Sequence, residues 1–120
     1  KRMKKEGIRI LVGGDYGLDI APHGTYAKDL EHYVNLFGFS NAEALHAATS
    51  LGGKAMDPNG SLGTLEEGKL ADLVIINGNP LEDITVLQNK ECIDTVMKDG
   101  LMYKGLLNSK NPYLLGNEIN

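Results

Sequence analysis

The chain has 120 residues, one cysteine and a net charge of -4 from 12 basic and 16 acidic side chains. That length suits about one domain, and the acidic balance argues against a nucleic-acid partner, whose phosphates call for a basic excess. Cys92 alone cannot form an internal disulfide, no apolar run approaches the roughly 18 residues of a membrane span, and no secretory signal is visible. A soluble cytoplasmic protein is the expectation.

The opening KRMKKEG reads as the tail of a helix stopped by Gly7, its charges a solvated face rather than a binding arm. With no starting methionine and an apolar run following at once, the sequence is expected to begin in mid-domain. Ile8, Ile10, Leu11 and Val12 suit a strand buried on both faces, as in a parallel sheet. A polar, glycine-rich loop follows from Gly13 to Gly24, long enough to suggest function.

A helix is predicted from Thr25, with Leu30, Val34 and Phe37 on one face, Tyr26 and Tyr33 alongside, and Gly38 closing it. Ser40 and Glu43 form an S-x-x-E capping box that opens a second helix. Its predicted inward stripe is Ala42, Leu45, Ala48 and Thr49, and Gly52 and Gly53 end it. The turn-rich DPNGSLG then precedes the best strand in the chain, residues 70 to 77. LEDITVLQN suggests a short helical turn, and DTVMKDGLMYKG a hairpin about Asp99 and Gly100. The tail from Leu106 to Asn120 is expected to be irregular.

Asp15 directly follows the first strand, at the end where loops of parallel α/β folds converge on a crevice. An aspartate there can ligate a divalent metal or take a proton from metal-bound water. It can equally cap a turn by bonding the backbone beside Gly13 and Gly14, and bare chemistry favours the cap. His23 in the same loop is a candidate ligand or proton carrier, while Asp19 is expected to be exposed. His32, with Asp29 and Glu31, reads as an ordinary solvated helix face, and Cys92 as a partly buried small residue. GGDYG and GSLGTLEEG match no phosphate-binding pattern.

Five stretches in order, IRILVGGDYG, HGTYAKDLEHYV, NAEALHAATS, GSLGTLEEGKLADLVIINGNPLEDITVL and VMKDGLMYKG, cover about residues 7 to 105. Together they resemble the carboxyl-terminal part of the amidohydrolase superfamily, in its imidazolonepropionase-like and Xaa-Pro dipeptidase branch. The stretch LGTLEEGKLADLVII is the most specific. The resemblance implies an α/β fold: residues 1–56 supply the last strand–helix unit of a (β/α)8 TIM barrel, 57–105 the carboxyl-terminal half of a small β-sandwich, and 106–120 a tail. It implies that Asp15 is both metal ligand and catalytic proton shuttle, and that His23 serves loop placement or substrate contact. The implied cofactor is a divalent metal, zinc first, with manganese or iron as alternatives. The implied reaction is hydrolysis of C–N bonds in a small amide or dipeptide substrate. Lys69 and Asp72 look structural.

The chain departs from that pattern in lacking the H-x-H pair and the other barrel ligands. A (β/α)8 barrel takes about 250 residues, so this segment alone is expected to be inactive. Gly14 stands where the family more often has threonine or serine. The expected partners are the missing remainder of the barrel or further copies of this chain, with no nucleic acid and no membrane. The competing reading is a non-catalytic, self-standing α/β module that oligomerises, with Asp15 only a turn residue.

Overall fold

The computed structural model describes residues 2–14, 16–19 and 21–105. Asp15 and the tail 106–120 lie outside the described residues. The opening helix α1 (Arg2–Lys5) buries nothing, and Gly7 ends it at φ +69. Lys4 nevertheless reaches across to the second half of the helical layer. Its ammonium donates to the Gly38 carbonyl at 2.9 Å, pairs with Glu43 at 2.7 Å and lies 4.9 Å from the Phe39 ring centroid.

Residues 8 to 12 do not form the strand their sequence predicts. Among the described residues no strand lies beside them, and a parallel ladder exists only by bonding to a neighbour. Burial alternates only over residues 9 to 12. Ile10 and Val12 pack on the core, whereas Ile8 and Leu11 are 54% and 44% exposed.

Helix α2 (Lys28–Asn35) begins three residues later than its sequence suggests. Residues 25 to 27 form tight turns instead, with the amides of Lys28, Asp29 and Leu30 bonded three residues back. Leu30 and Tyr33 are the buried pair on α2. Phe37, expected on that face, lies beyond the helix end, is 42% exposed and meets Tyr33 edge-on. Gly38, at φ +77, closes the helix and lets the Phe39 amide bond back to the Tyr33 carbonyl at 3.1 Å, a Schellman-type stop.

Helix α3 (Asn41–His46) carries the predicted capping box in full: the Glu43 amide donates to the Ser40 hydroxyl, and the Ser40 amide to the Glu43 carboxylate at 2.7 Å. The rod continues through a wider π-wound turn, Ala47–Leu51, into α4 (Gly52–Met56). Two expectations fail here. Of the predicted stripe Leu45 packs on the core, but Ala42, Ala48 and Thr49 are exposed and the buried residues are Ala44 and Ala47, because alanines sit on several faces and their pattern alone selects none. Nor do Gly52 and Gly53 stop the helix. Gly53 lets a second backbone approach: a Cβ there would lie 2.6 Å from the Gly63 Cα.

Asp57 then organises its turn by accepting from the Asn59 and Ser61 amides, both at 2.9 Å. Strands β1 (Leu73–Ile76), β2 (Ile93–Lys98) and β3 (Leu101–Lys104) form one antiparallel sheet in that order. β1 is shorter than predicted. The hairpin is as expected, with Asp99 and Gly100 both at positive φ and Lys98 paired to Leu101. Asp72 accepts from the Asp99 amide at 2.7 Å, and Lys69 holds Thr64 and Glu66, so both act structurally. Residues Ile84–Gln88 form a 3-10 turn, and Ile84 joins Leu30, Tyr33 and Ala44 in the core. Cys92 is half-buried and free. No helix among the described residues is long and apolar enough to cross a membrane.

Two outcomes follow from this packing. Gly53→Ala drives a Cβ into backbone that cannot swing aside and lowers stability by about 1 to 3 kcal/mol. Gly52→Ala meets only ordinary contact at 3.4 Å in helical geometry and gains about 1 kcal/mol of helix propensity. Urea midpoints of the two variants should therefore move in opposite directions. The second outcome concerns acid. The hydrogen bond from Lys4, then those from Ser40, hold Glu43 down from 4.5 to about 2. As pH falls the unfolded chain takes up that proton first, so the stabilisation is present above pH 4.5 and lost toward pH 2. Thermal midpoints of Glu43→Gln should fall less steeply across that window, with the depressed Asp57, Glu66 and Asp83 supplying the remaining slope.

Candidate functional site

The loop between the unpaired segment and α2 is shaped by its own backbone. The amides of Gly17 and Ala21 donate to Ala21 and Leu18 carbonyls, both at 2.9 Å, which folds the middle of the loop back on itself. The Thr25 hydroxyl donates to the Pro22 carbonyl at 2.7 Å and sets the turn into α2.

Three rings line up along this loop. Tyr16 and Tyr26 meet edge-on with centroids 4.4 Å apart, and the Tyr26 hydroxyl lies 2.6 Å from Nδ1 of His23. The far side of the imidazole covers Gly17, where a Cβ would lie 3.0 Å from Nε2 at a φ of +114. Gly17 therefore serves both the backbone turn and the seat of His23.

Tyr16 also engages α2. Burial, and after it a hydrogen bond to the Asp29 carboxylate, pushes the Tyr16 hydroxyl up from 10.0 to about 12. The phenol thus stays protonated throughout the neutral range. An open cleft of about 260 Å³ lies beside this pair, lined by Gly14, Tyr16, Thr25, Lys28, Asp29 and His32. A second, of about 200 Å³, lies across Thr25 and Lys28 and takes His23, Gln88 and Lys90.

Of the residues singled out by sequence, Asp15 lies outside the described residues, though both its chain neighbours line the first cleft. His23 is exposed, bonded to Tyr26, and lines the second cleft rather than the first. Asp19 is exposed as expected. Sequence reading missed Asp29 and His32. They are half-buried cleft residues, not a solvated face, because the loop folds over the first turns of α2. Their i, i+3 spacing was the available signal, and Tyr16 beside Asp15 was the other. Among the described residues no three His, Cys, Asp or Glu side chains converge to hold a metal ion. The described residues by themselves do not fit a metal centre.

The chain matches the family model described as "Amidohydrolase family" over residues 1–102. It is 37% identical to ochratoxinase of Aspergillus niger over 102 residues, 84% of this chain and 20% of the relative. The crystal structure of that enzyme superposes with a TM-score of 0.75 at 36% identity, covering 85% of this chain and 23% of the other. A Xaa-Pro dipeptidase crystallised with methionine in its active site gives a TM-score of 0.77 at 39% identity, covering 87% and 24% respectively. Imidazolonepropionase of Treponema denticola is 28% identical over 113 residues, 92% of this chain and 27% of the relative. The chain spans about a fifth of the length of the first of these curated relatives. With 102 of its residues under that model, the chain belongs to the amidohydrolase family.

Proposed function

We propose that this chain is the carboxyl-terminal segment of a metal-dependent hydrolase that cleaves C–N bonds in small amides or dipeptides. In this reading residues 1–56 complete the wall of a (β/α)8 barrel and residues 57–105 form half of a composite β-sandwich. The observation that carries it is the joint likeness, in sequence and in fold, to a Xaa-Pro dipeptidase at 39% identity and a TM-score of 0.77. The apolar run at 8 to 12, which no strand among the described residues adjoins, supports it too, since it suits a strand that finds its neighbours outside this segment.

Asp15 is the proton carrier in this reading. Amide hydrolysis needs a proton taken from the attacking water and another delivered to the nitrogen, because an amide anion is too basic to leave. One carboxylate can do both in turn. A bound divalent metal, zinc foremost, would supply activated water. Asp15 is the one candidate ligand here, so the other ligands would come from beyond this segment, and the segment alone would be inactive. His23, exposed beside the second cleft, contributes substrate contact or loop placement.

The exposed apolar side chains support a covered partner face. Met56, Leu65 and Leu81 are all largely in solvent, in the β-rich half and the helix end before it. The remainder of a barrel, or a second copy, would bury them.

The test is to purify the longer protein carrying this segment and follow amine release from a panel of Xaa-Pro dipeptides and N-acyl amino acids. Hydrolysis is expected, with Asp15→Asn lowering kcat/KM by at least about 100-fold, the scale of a lost general acid–base. No turnover across the panel, or an Asp15→Asn loss within about threefold, would overturn the reading in favour of a non-catalytic module.

A further inference from the structure

We propose that the second cleft, where the loop and the head of α2 meet the turns before β2, binds a small oxyanion, a carboxylate or phosphate group held between Lys28 and Lys90. The inference stands on the cleft itself and does not rest on the hydrolase reading above.

Three separate parts of the chain bring cationic or donor groups to this cleft. The loop supplies His23, the first residue of α2 supplies Lys28, and the turns before β2 supply Gln88 and Lys90. Lys90 reaches across to the loop: its ammonium lies 4.0 Å from where a Cβ on Gly24 would stand. Among the described residues no aspartate or glutamate lines the cleft, in a chain whose acidic side chains outnumber its basic ones by 16 to 12.

Neither lysine is neutralised from within. Carboxylates are near in sequence, with Asp29 and Glu31 after Lys28 and Glu91 after Lys90. Yet among the described residues neither ammonium forms an ion pair. Glu31, three residues along α2, is a natural partner for Lys28. Its two oxygens instead accept from Gln88 at 2.7 Å and Asn35 at 3.4 Å. Two unpaired ammoniums on one cleft repel each other, and an oxyanion between them turns that repulsion into attraction.

The frame around them is set by bonds of its own. Lys104 donates to the Lys90 carbonyl at 2.8 Å, the Asn89 side chain accepts from the Glu91 amide at 3.0 Å, and the Tyr26 hydroxyl holds Nδ1 of His23 at 2.6 Å. The cleft measures about 200 Å³, below the roughly 300 Å³ at which pockets for drug-sized ligands begin. It therefore suits one anionic group. Lysine ammoniums bind such groups as point charges and take carboxylate and phosphate oxygens alike.

The experiment titrates the longer protein with inorganic phosphate by calorimetry at fixed ionic strength, as wild type and as Lys28→Gln, Lys90→Gln and Lys98→Gln. One phosphate should bind per chain. Each cleft variant should bind it about tenfold more weakly, the scale of a lost charge-assisted hydrogen bond. Lys98→Gln, on β2 and outside the cleft lining, should bind as wild type does. A wild-type dissociation constant above about 10 mM, cleft variants that bind like wild type, or an equal loss in Lys98→Gln would overturn the site. A Xaa-Pro dipeptide and its carboxamide then identify the source of the anion. If it is the substrate's own carboxylate, phosphate competes with the dipeptide, and both cleft variants raise KM for the dipeptide by about tenfold while leaving the carboxamide unchanged. If it is a free anion, phosphate does not compete and the two substrates behave alike in every variant. Absence of turnover would remove the hydrolase reading, and the phosphate titration would still decide the cleft.

Discussion

Tyr33 holds together the parts of this chain that sequence separates. Its ring is buried with Leu30, Ala44 and Ile84, joining α2, α3 and the turn that precedes β2. Its hydroxyl leaves that core to donate to the carbonyl of Leu11, in the segment that has no strand beside it. A backbone without a ladder must bond elsewhere, and this phenol is one bond that secures it. Burial, then the charge of Asp29, raises the Tyr33 hydroxyl, so it stays a donor. The position of the candidate loop follows, since that loop starts two residues after Leu11 and ends where α2 begins.

Elsewhere too, polar side chains do what a large core would do. Few side chains are buried, yet charged and amide groups cross between elements at short range. Asn41, at the head of α3, donates to the carbonyls of Leu81 and Glu82 at 3.0 and 3.1 Å. Gln88 donates to Glu31 on α2 at 2.7 Å. Lys104 reaches the Lys90 carbonyl at 2.8 Å. Exposed contacts of this kind are each worth little. Their value here is geometric: those of Asn41 and Gln88 tie residues 81 to 88 to α3 and α2, and that of Lys104 ties β3 to the turn before β2.

The elements legible in the sequence are those whose cause is local. A capping box needs four residues, and the Asp99–Gly100 turn needs two that tolerate positive φ; both formed as read. Lys69 and Asp72 were legible as turn holders for the same reason. What was not legible depends on residues distant in the chain. The apolar run at 8 to 12 suits a strand but cannot supply its neighbour. The alanines of α3 fit several packing faces, and the cluster of Leu30, Tyr33 and Ile84, drawn from other parts of the chain, selects Ala44. Gly53 looked like a stop because its true reason, the backbone at Gly63, is invisible locally. Asp29 was misread likewise: it faces water until Tyr16 folds over it.

The sheet carries the same argument to its end. Successive residues of a strand point to opposite faces, and on β1 the adjacent Val74 and Ile75 are 53% and 52% exposed. Apolar side chains are therefore uncovered on both faces of one strand, and β1 is also an edge. A sheet built to stand with one face in water alternates apolar with polar residues, and Leu73–Ile76 contains no polar residue at all. Such a strand is written for burial from above and below. A second sheet, as in the composite sandwich proposed above, would cover one of its faces, and further chain packed on the other side would cover the second. The strand makes little sense on the rival view of a self-standing module, unless copies of the chain cover one another.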